Sequence, residues 1–390
     1  MFVVDNGNPL NLFTIQPDTN DQAYITMKSK IHPYQLLPQK SFWKNLISEG
    51  SPLLINEIYQ KKFEIDPNSK IATAGSCFAQ HISQNLSANG YSIINQEPAP
   101  SWLPKNLHHN FGYSIFSARY GNIYTVFQLL QLTKEVMGQT ALKKTIWERD
   151  GRYYDAFRPL IEPNGFESEL ECALHRKYHL ANVHQLFTKM DIFIFTLGLT
   201  EGWIHTESNT VFPFAPGVIA GEMNEDFSFI NFRFNEVVNQ FNEFLTLLKT
   251  LRNGSLPQII LTVSPVPLTA TGTAKHILPA NNYSKAVLRA AAGQLEMEHL
   301  NIDYFPSFEI ITNPASRGIF YSNNLRTINS LGVKTVMEVF FKNHPPVLLP
   351  LPPEGQANVN ALMENHSNQY PESIYEQALC DEAILEAFSK

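Results

Sequence analysis

Ser76 is the residue best placed to do chemistry. It follows Ile71-Ala72-Thr73-Ala74, a short apolar run that reads as a buried strand, and Gly75, a turn residue. From Cys77 onward, Phe78, Ile82 and Leu86 recur at helical spacing until Asn89-Gly90 ends the pattern. A hydroxyl at a strand-to-helix turn sits beside the N–H groups of the first helical turn, whose positive end favours an anion. A nucleophile there is held beside half of its own oxyanion hole. The plain alternative is a serine N-cap, which is common. Cys77 is the competing nucleophile, since the same helix end lowers a thiol pKa; its plain alternative is a small buried hydrophobe.

A serine hydroxyl needs a base, usually a histidine oriented by a carboxylate. His276 is the candidate. It ends Thr269-Ala270-Thr271-Gly272-Thr273-Ala274-Lys275-His276, a small-residue loop after the Gln258–Val263 strand, on the sheet edge expected to hold Ser76. Glu201 has three open roles: orienting His276, binding substrate, or forming a surface ion pair. His81, one turn into the Ser76 helix, is expected to pack or cap. His108-His109 point apart, and no third ligand stands at a familiar spacing, so no metal is expected. The oxyanion donors expected are the Ser76 backbone, Gly112 and Gly198, with Asn110 and Asn122 as amide alternatives that could equally satisfy their own turns. Arg119, Tyr120, Asn122 and Tyr124 form a run suited to a sugar or phosphate. Arg326, with Arg317 nearby, could hold an anion, against surface salt bridging as the ordinary use.

These residues need a scaffold. Met190–Leu197, Gln258–Val263 and Ile302–Phe305 read as strands apolar on both faces, and Tyr91–Ile94 as another. Asn235–Leu251, Ser284–His299 and Ser330–Phe341 read as helices between and after them. The alternation predicts an α/β protein, a three-layer α/β/α sandwich with a mainly parallel sheet, and ligands in such sheets bind beyond the carboxyl ends of the strands. The expected organisation is an N-terminal arm packed on the core over 1–65, with a short helix over Ser41–Ile47 anchored by Phe42 and Trp43. The α/β/α domain follows over 66–345, a Pro-rich linker over 346–370 and an amphipathic C-terminal helix over 371–390. That helix must cover its apolar face on the core or in a homodimer.

Composition narrows the class. Of 390 residues, 44% are hydrophobic and 17% charged, too apolar for intrinsic disorder. Lys plus Arg total 29 against 36 Asp plus Glu, a formal charge of −7, which argues against a nucleic-acid partner. Cys77, Cys172 and Cys380 have no CxxC spacing, and no apolar stretch is long enough for a membrane span. Met1-Phe2-Val3-Val4 runs into Asp5, Asn6 and Gly7 without a basic region or a sustained apolar one, so the expected location is cytoplasmic. No Walker or GxGxxG element is present, and no cofactor is expected.

Gly75-Ser76-Cys77-Phe78-Ala79 resembles the signature of the GSCFA family, a branch related to SGNH/GDSL-type hydrolases. The resemblance continues through Phe111-Gly112-Tyr113, Ser117 to Thr125, Thr196 to Glu201, Thr262 to Pro267, Tyr283 to Leu288 and Tyr304 to Glu309. It implies an α/β/α fold with Ser76 as nucleophile, in a serine esterase or O-acyltransferase acting on an acylated, glycan-type small molecule or polysaccharide. A transferase would need an acyl donor such as acetyl-CoA. SGNH-like acetyltransferases with Gly-Asn-Cys at this turn keep Cys77 in contention. SGNH enzymes take their base from an Asp-x-x-His motif, but Asn324 and Thr327 stand at the matching positions, and neither can move that proton. Two further expectations therefore stay open: a non-catalytic ligand-binding protein, and a transferase of different chemistry in the same cleft.

Overall fold

The computed structural model describes residues 32–140, 142–345 and 381–389. The chain divides into two units, 1–49 and 50–390. In the first, the described residues form single turns only, Pro33–Leu36 and Gln39–Ser41 of 3-10 type and a π turn at Lys44–Ser48. The short helix expected over Ser41–Ile47 is present as these 3-10 and π turns rather than as one regular helix. Phe42 and Trp43 are exposed.

In the second unit the elements run β1 (Ile71–Gly75), α1 (Cys77–Ala88), α2 (Val126–Val136), β2 (Ile146–Arg149), β3 (Arg152–Asp155), α3 (Glu169–Lys189) and β4 (Ile192–Leu197). Then follow β5 (Glu201–His205), β6 (Thr210–Phe212), β7 (Phe227–Asn231), α4 (Phe234–Leu251), β8 (Gln258–Val263), α5 (Ile277–Glu298), β9 (Ile302–Tyr304), α6 (Ser307–Thr312) and α7 (Ser330–Asn343). The central sheet is parallel in the order β1-β4-β8-β9, with Gly75 opposite Thr196 and Thr196 opposite Thr262. Phe193, Phe195 and Leu261 face one side with apolar residues of α2, α3, α4 and α5. Ile71, Ile194 and Ile260 face the other with those of α1, α6 and α7. Both faces are covered, which is why the strands are buried along almost their whole length and largely apolar, and why the fold is the expected three-layer sandwich. No helix among the described residues is long and apolar enough to cross a membrane.

Two smaller sheets cap the construction. β2 and β3 form a hairpin through Asp150-Gly151, both with positive φ, as a two-residue turn requires. β6-β5-β7 is antiparallel. Their Trp147, Tyr154, Phe212 and Phe227 share an apolar cluster with Tyr124 and Leu199.

The strand expected over Tyr91–Ile94 is reduced to one bridge, Ile93 to Ile71. Beyond Ile71, whose N and O pair with Ser92 O and Ile94 N, both at 2.9 Å, the hydrogen bonds of that β1 edge are taken by the irregular segment around Ser117–Ile123. Ser117 Oγ accepts from Thr73 N at 3.0 Å, Tyr120 hydroxyl donates to Thr73 O, and Ile123 N donates to Gly75 O at 2.9 Å. Within the expected 1–65 arm, residues from Gly50 on belong to the core unit: Tyr59 is buried and its hydroxyl donates to Asp303 Oδ2 at 2.8 Å. The 346–370 linker and residues 371–380 lie outside the described residues. The described part of the expected C-terminal helix, Asp381–Phe388, is helical and of 3-10 type, and its Ile384 packs on the capping cluster.

His81 and His179 are buried, and burial lowers the pKa of each from 6.5 to about 4; for His179 the charge of Arg158 adds to the effect. Between those values the unfolded chain binds protons that the native protein does not. Stability is therefore full above about pH 6.5 and falls as pH drops towards about 4, by on the order of 3 kcal/mol per histidine. Urea unfolding at pH steps across this window measures it; a flat profile would show that both rings titrate alike in the two states.

Candidate active site

Gly75 carries the chain from β1 into α1 at φ 134°. A Cβ at this position would lie 2.8 Å from Thr196 N and Thr196 Cβ, so only glycine lets β1 run this close to β4. Ser76 then occupies the N-cap position with extended backbone (φ −83°, ψ −178°), yet its side chain makes no capping hydrogen bond. Its Oγ is buried and has no hydrogen-bond partner among the described residues. The ordinary N-cap use therefore does not account for Ser76. A buried polar atom left unpaired costs about 1–3 kcal/mol, so this hydroxyl is stored at a cost rather than spent on capping.

The wall beside Ser76 is backbone. A Cβ at Gly198 would lie 3.1 Å from Ser76 Cβ and 3.0 Å from Tyr124 O. Tyr124 O accepts from Gly198 N at 3.2 Å and Leu199 N at 3.0 Å. Two consecutive residues of α5 clamp the same loop: Ser284 Oγ accepts from Thr200 N at 3.0 Å, and the buried Lys285 Nζ donates to Gly198 O at 2.7 Å. Ser284 and Lys285 went unassigned in the sequence, although they lie in the Tyr283-Ser284-Lys285 motif. A lysine among apolar helix positions, followed by Val287 and Leu288, was the signal available.

Several expected site residues are spent elsewhere. The Gly198 N–H is used on Tyr124, and the Gly112 N–H donates to His109 O at 3.0 Å, so neither is an open oxyanion donor in this state. Ser76 N makes only a long contact to Thr196 O, at 3.4 Å. His276 is exposed and is the N-cap of α5, its Nδ1 accepting from Leu278 N at 3.1 Å. That bond places the proton of the neutral ring on Nε2 and leaves no nitrogen to act as a base. The sequence reading started this helix at Ser284. It begins at Ile277 because a proline in the first turn, here Pro279, lacks only an N–H that has no helical acceptor. Glu201 is buried and holds the loop rather than His276: Oε1 accepts from Thr271 Oγ1 at 2.7 Å and Oε2 from Gly272 N at 3.0 Å.

Arg119 is buried and committed. Nε donates to Phe111 O at 2.9 Å, Nη2 donates to Ile161 O at 3.0 Å and to Glu162 Oε1 at 2.7 Å, and the guanidinium stacks on Tyr113. Tyr120 is a core residue tied to Thr73. Arg326 is buried and Arg317 exposed. Cys77 is buried in the first turn of α1. Asn324 and Thr327 build a local turn: Asn324 Oδ1 accepts from Arg326 N at 3.0 Å and Thr327 N at 2.9 Å, and its Nδ2 donates to Thr327 Oγ1 at 2.9 Å. Asn110 and Asn122 both line a cavity of about 330 Å³, together with Gln80 of α1.

An imidazole–carboxylate pair does exist, in an unexpected place. His179 Nδ1 and Glu97 Oε2 are 2.6 Å apart, both buried, and Glu97 also accepts from Arg119 N at 2.7 Å. Burial pushes the Glu97 carboxyl up, but His179, Arg158 and the Arg119 N–H together hold it below its usual value. His179 lines a small space of about 30 Å³ with Asn122 and Arg176, and Ser76 is not on its wall. Next to it Arg158 Nε donates to Asp155 Oδ2 at 2.7 Å, and Arg176 bridges Asp155 and Glu135. Burial alone would raise Asp155, and the two guanidinium groups outweigh it, holding the carboxyl at about 2. This network fastens α3 to the β3 hairpin and to the Ser117–Ile123 segment.

Residues 70–340 match the family model for the GSCFA family, well over half of the chain, and the protein belongs to that family. No curated protein matches the chain.

Gly198→Ala should disturb Ser76 most directly, because the new methyl meets the Tyr124 carbonyl and Ser76 Cβ with no flexible neighbour to yield. The expected loss is about 1–3 kcal/mol in denaturant unfolding. An unchanged midpoint would show that the loop relaxes freely and that the wall is not rigid.

Proposed function

We propose that this protein is a serine-dependent acyl esterase or O-acyltransferase in which Ser76 carries the acyl group. The observation that carries the reading is the Ser76 hydroxyl itself: at a helix start, beyond the carboxyl end of β1, unused as a cap and without a partner. In the reaction Ser76 Oγ bonds to the ester carbonyl carbon, the alkoxy group leaves with a proton, and water or an acceptor hydroxyl then takes the acyl group. The positive end of α1 favours the oxyanion, and the Lys285 ammonium at Gly198 adds to that field. A glycan-type alcohol is the substrate partner that the SGNH resemblance implies.

A second reading is favoured by a different observation. Ser76 Oγ has no imidazole within hydrogen-bond distance among the described residues, and His276 is spent as a cap. A protein that keeps the cleft and binds ligand without turnover accounts for both facts. On the catalytic reading, the site must open and bring a proton acceptor to Ser76.

A fluorophosphonate probe with mass mapping, alongside turnover of p-nitrophenyl esters, separates the two. Catalysis predicts an adduct on Ser76, with both adduct and turnover lost in Ser76→Ala. Labelling on Cys77, or turnover that survives Ser76→Ala, would remove Ser76 as the nucleophile. Absence of both adduct and turnover in the wild type would favour binding. His276→Ala is expected to change labelling less than about twofold and to cost about 1 kcal/mol through the lost cap.

A further inference from the structure

We propose that the cavity of about 330 Å³ beside α1 is an acyl-chain subsite that selects medium-length, unbranched acyl groups. The inference rests on the assignment of Ser76 as acyl carrier and adds which acyl group it would take. Gln80, one helical turn beyond Ser76, lines the cavity. Asn122 lines it next to Ile123, whose N–H bonds Gly75 O. Phe214 lines it with its ring 6.3 Å from that of Tyr124, whose carbonyl binds Gly198 N. Three wall residues are thus each one step from the immediate neighbours of Ser76.

Most of the remaining lining is aliphatic, aromatic, glycine and proline, with Ile115, Leu160 and Ile161 in the wall, and His109, Asn110 and Arg158 are its polar members. The cation there is not available to a ligand carboxylate: Arg158 Nε is on Asp155, Nη1 donates to Arg119 O at 2.9 Å, and Nη2 donates to His175 O at 3.2 Å. His109 also lines the space, and burial, then the neighbouring His108, lowers its pKa and so disfavours a charged ring there. A pocket of this size with largely apolar walls and a few amides suits a neutral hydrocarbon chain, its ester group towards α1, whose Gln80 is in the wall. An acetyl group would leave most of it empty.

The test uses methyl acetate, butanoate, hexanoate and octanoate, titrated calorimetrically into full-length Ser76→Ala protein, so that binding is read without chemistry. Affinity is expected to rise about fourfold per methylene until the cavity fills. Leu160→Trp, which occupies the space, should abolish that slope and weaken octanoate at least tenfold while sparing acetate. Ile161→Ala, which enlarges the space, should shift the plateau to longer chains and guards against misfolding of the tryptophan variant. No binding, binding without a chain-length slope, or a slope indifferent to both variants would overturn the subsite. Chain-length-dependent binding in a protein whose wild type neither turns over esters nor labels at Ser76 would keep the pocket and remove the nucleophile. Turnover indifferent to chain length would do the reverse.

Discussion

The site depends on two backbones approaching within glycine distance. β1 and β4 run side by side, and where they end, Gly75 lies against Thr196 while Gly198 lies against Ser76 and Tyr124. A side chain at either glycine would push the strand ends apart. The Ser76 hydroxyl would then move away from the loop that forms its wall. Ser284 and Lys285 enforce the approach from α5 by holding both ends of Gly198–Thr200. Burying an ammonium group is costly, and it is tolerated here because a carbonyl oxygen receives it.

The free edge of β1 is handled in an unusual way. No neighbouring strand completes the sheet there. Instead the segment from Ser117 to Ile123 supplies one side-chain acceptor, one side-chain donor and one backbone donor to β1. That segment is irregular and buried, so it needs its own support. The Glu97–His179 hydrogen bond and the ion pairs of Asp155 with Arg158 and Arg176 provide it. Removing one member of such a network leaves its partner charged and unpaired in the interior, which costs more than the pair itself contributes. The motif residues that looked like a ligand-binding run are therefore largely structural. Arg119 and Tyr120 hold the segment, and Asn122 alone of those proposed for substrate reaches the cavity.

Much of the core could be read from residue patterns because its strands are largely apolar and most of its helices periodic. β4 and β8 appear with little change from the apolar runs at Met190–Leu197 and Gln258–Val263. α2 and α3 were missed, and α3 shows why: it exposes Leu170, Leu174 and Tyr178 while burying His179 and Asn182, so its two faces are not separated by polarity. The β2–β3 hairpin carried a readable Asp-Gly turn that went unused. The candidate site divides the same way. Ser76 could be found because a strand, a glycine and a helix start are local features. The fates of His276 and Glu201 could not, since a histidine before a helix reads identically as a cap or as a base.

Local order along the chain was enough to establish the layered α/β architecture, the turn that presents Ser76 and membership of a family with that turn as its signature. The first two follow from periodicity and from the conformational demands of glycine, which act within a few residues, and the third from the likeness of the Gly75–Ala79 motif and its companions to that family. Partner choice was settled by folding alone: which donor meets Tyr124 O, which carboxylate meets His179, and which side chains surround the cavity beside α1. Such pairings join residues far apart in sequence, and polar side chains of one type serve as cap, clamp or nucleophile according to what the packed neighbours leave unpaired.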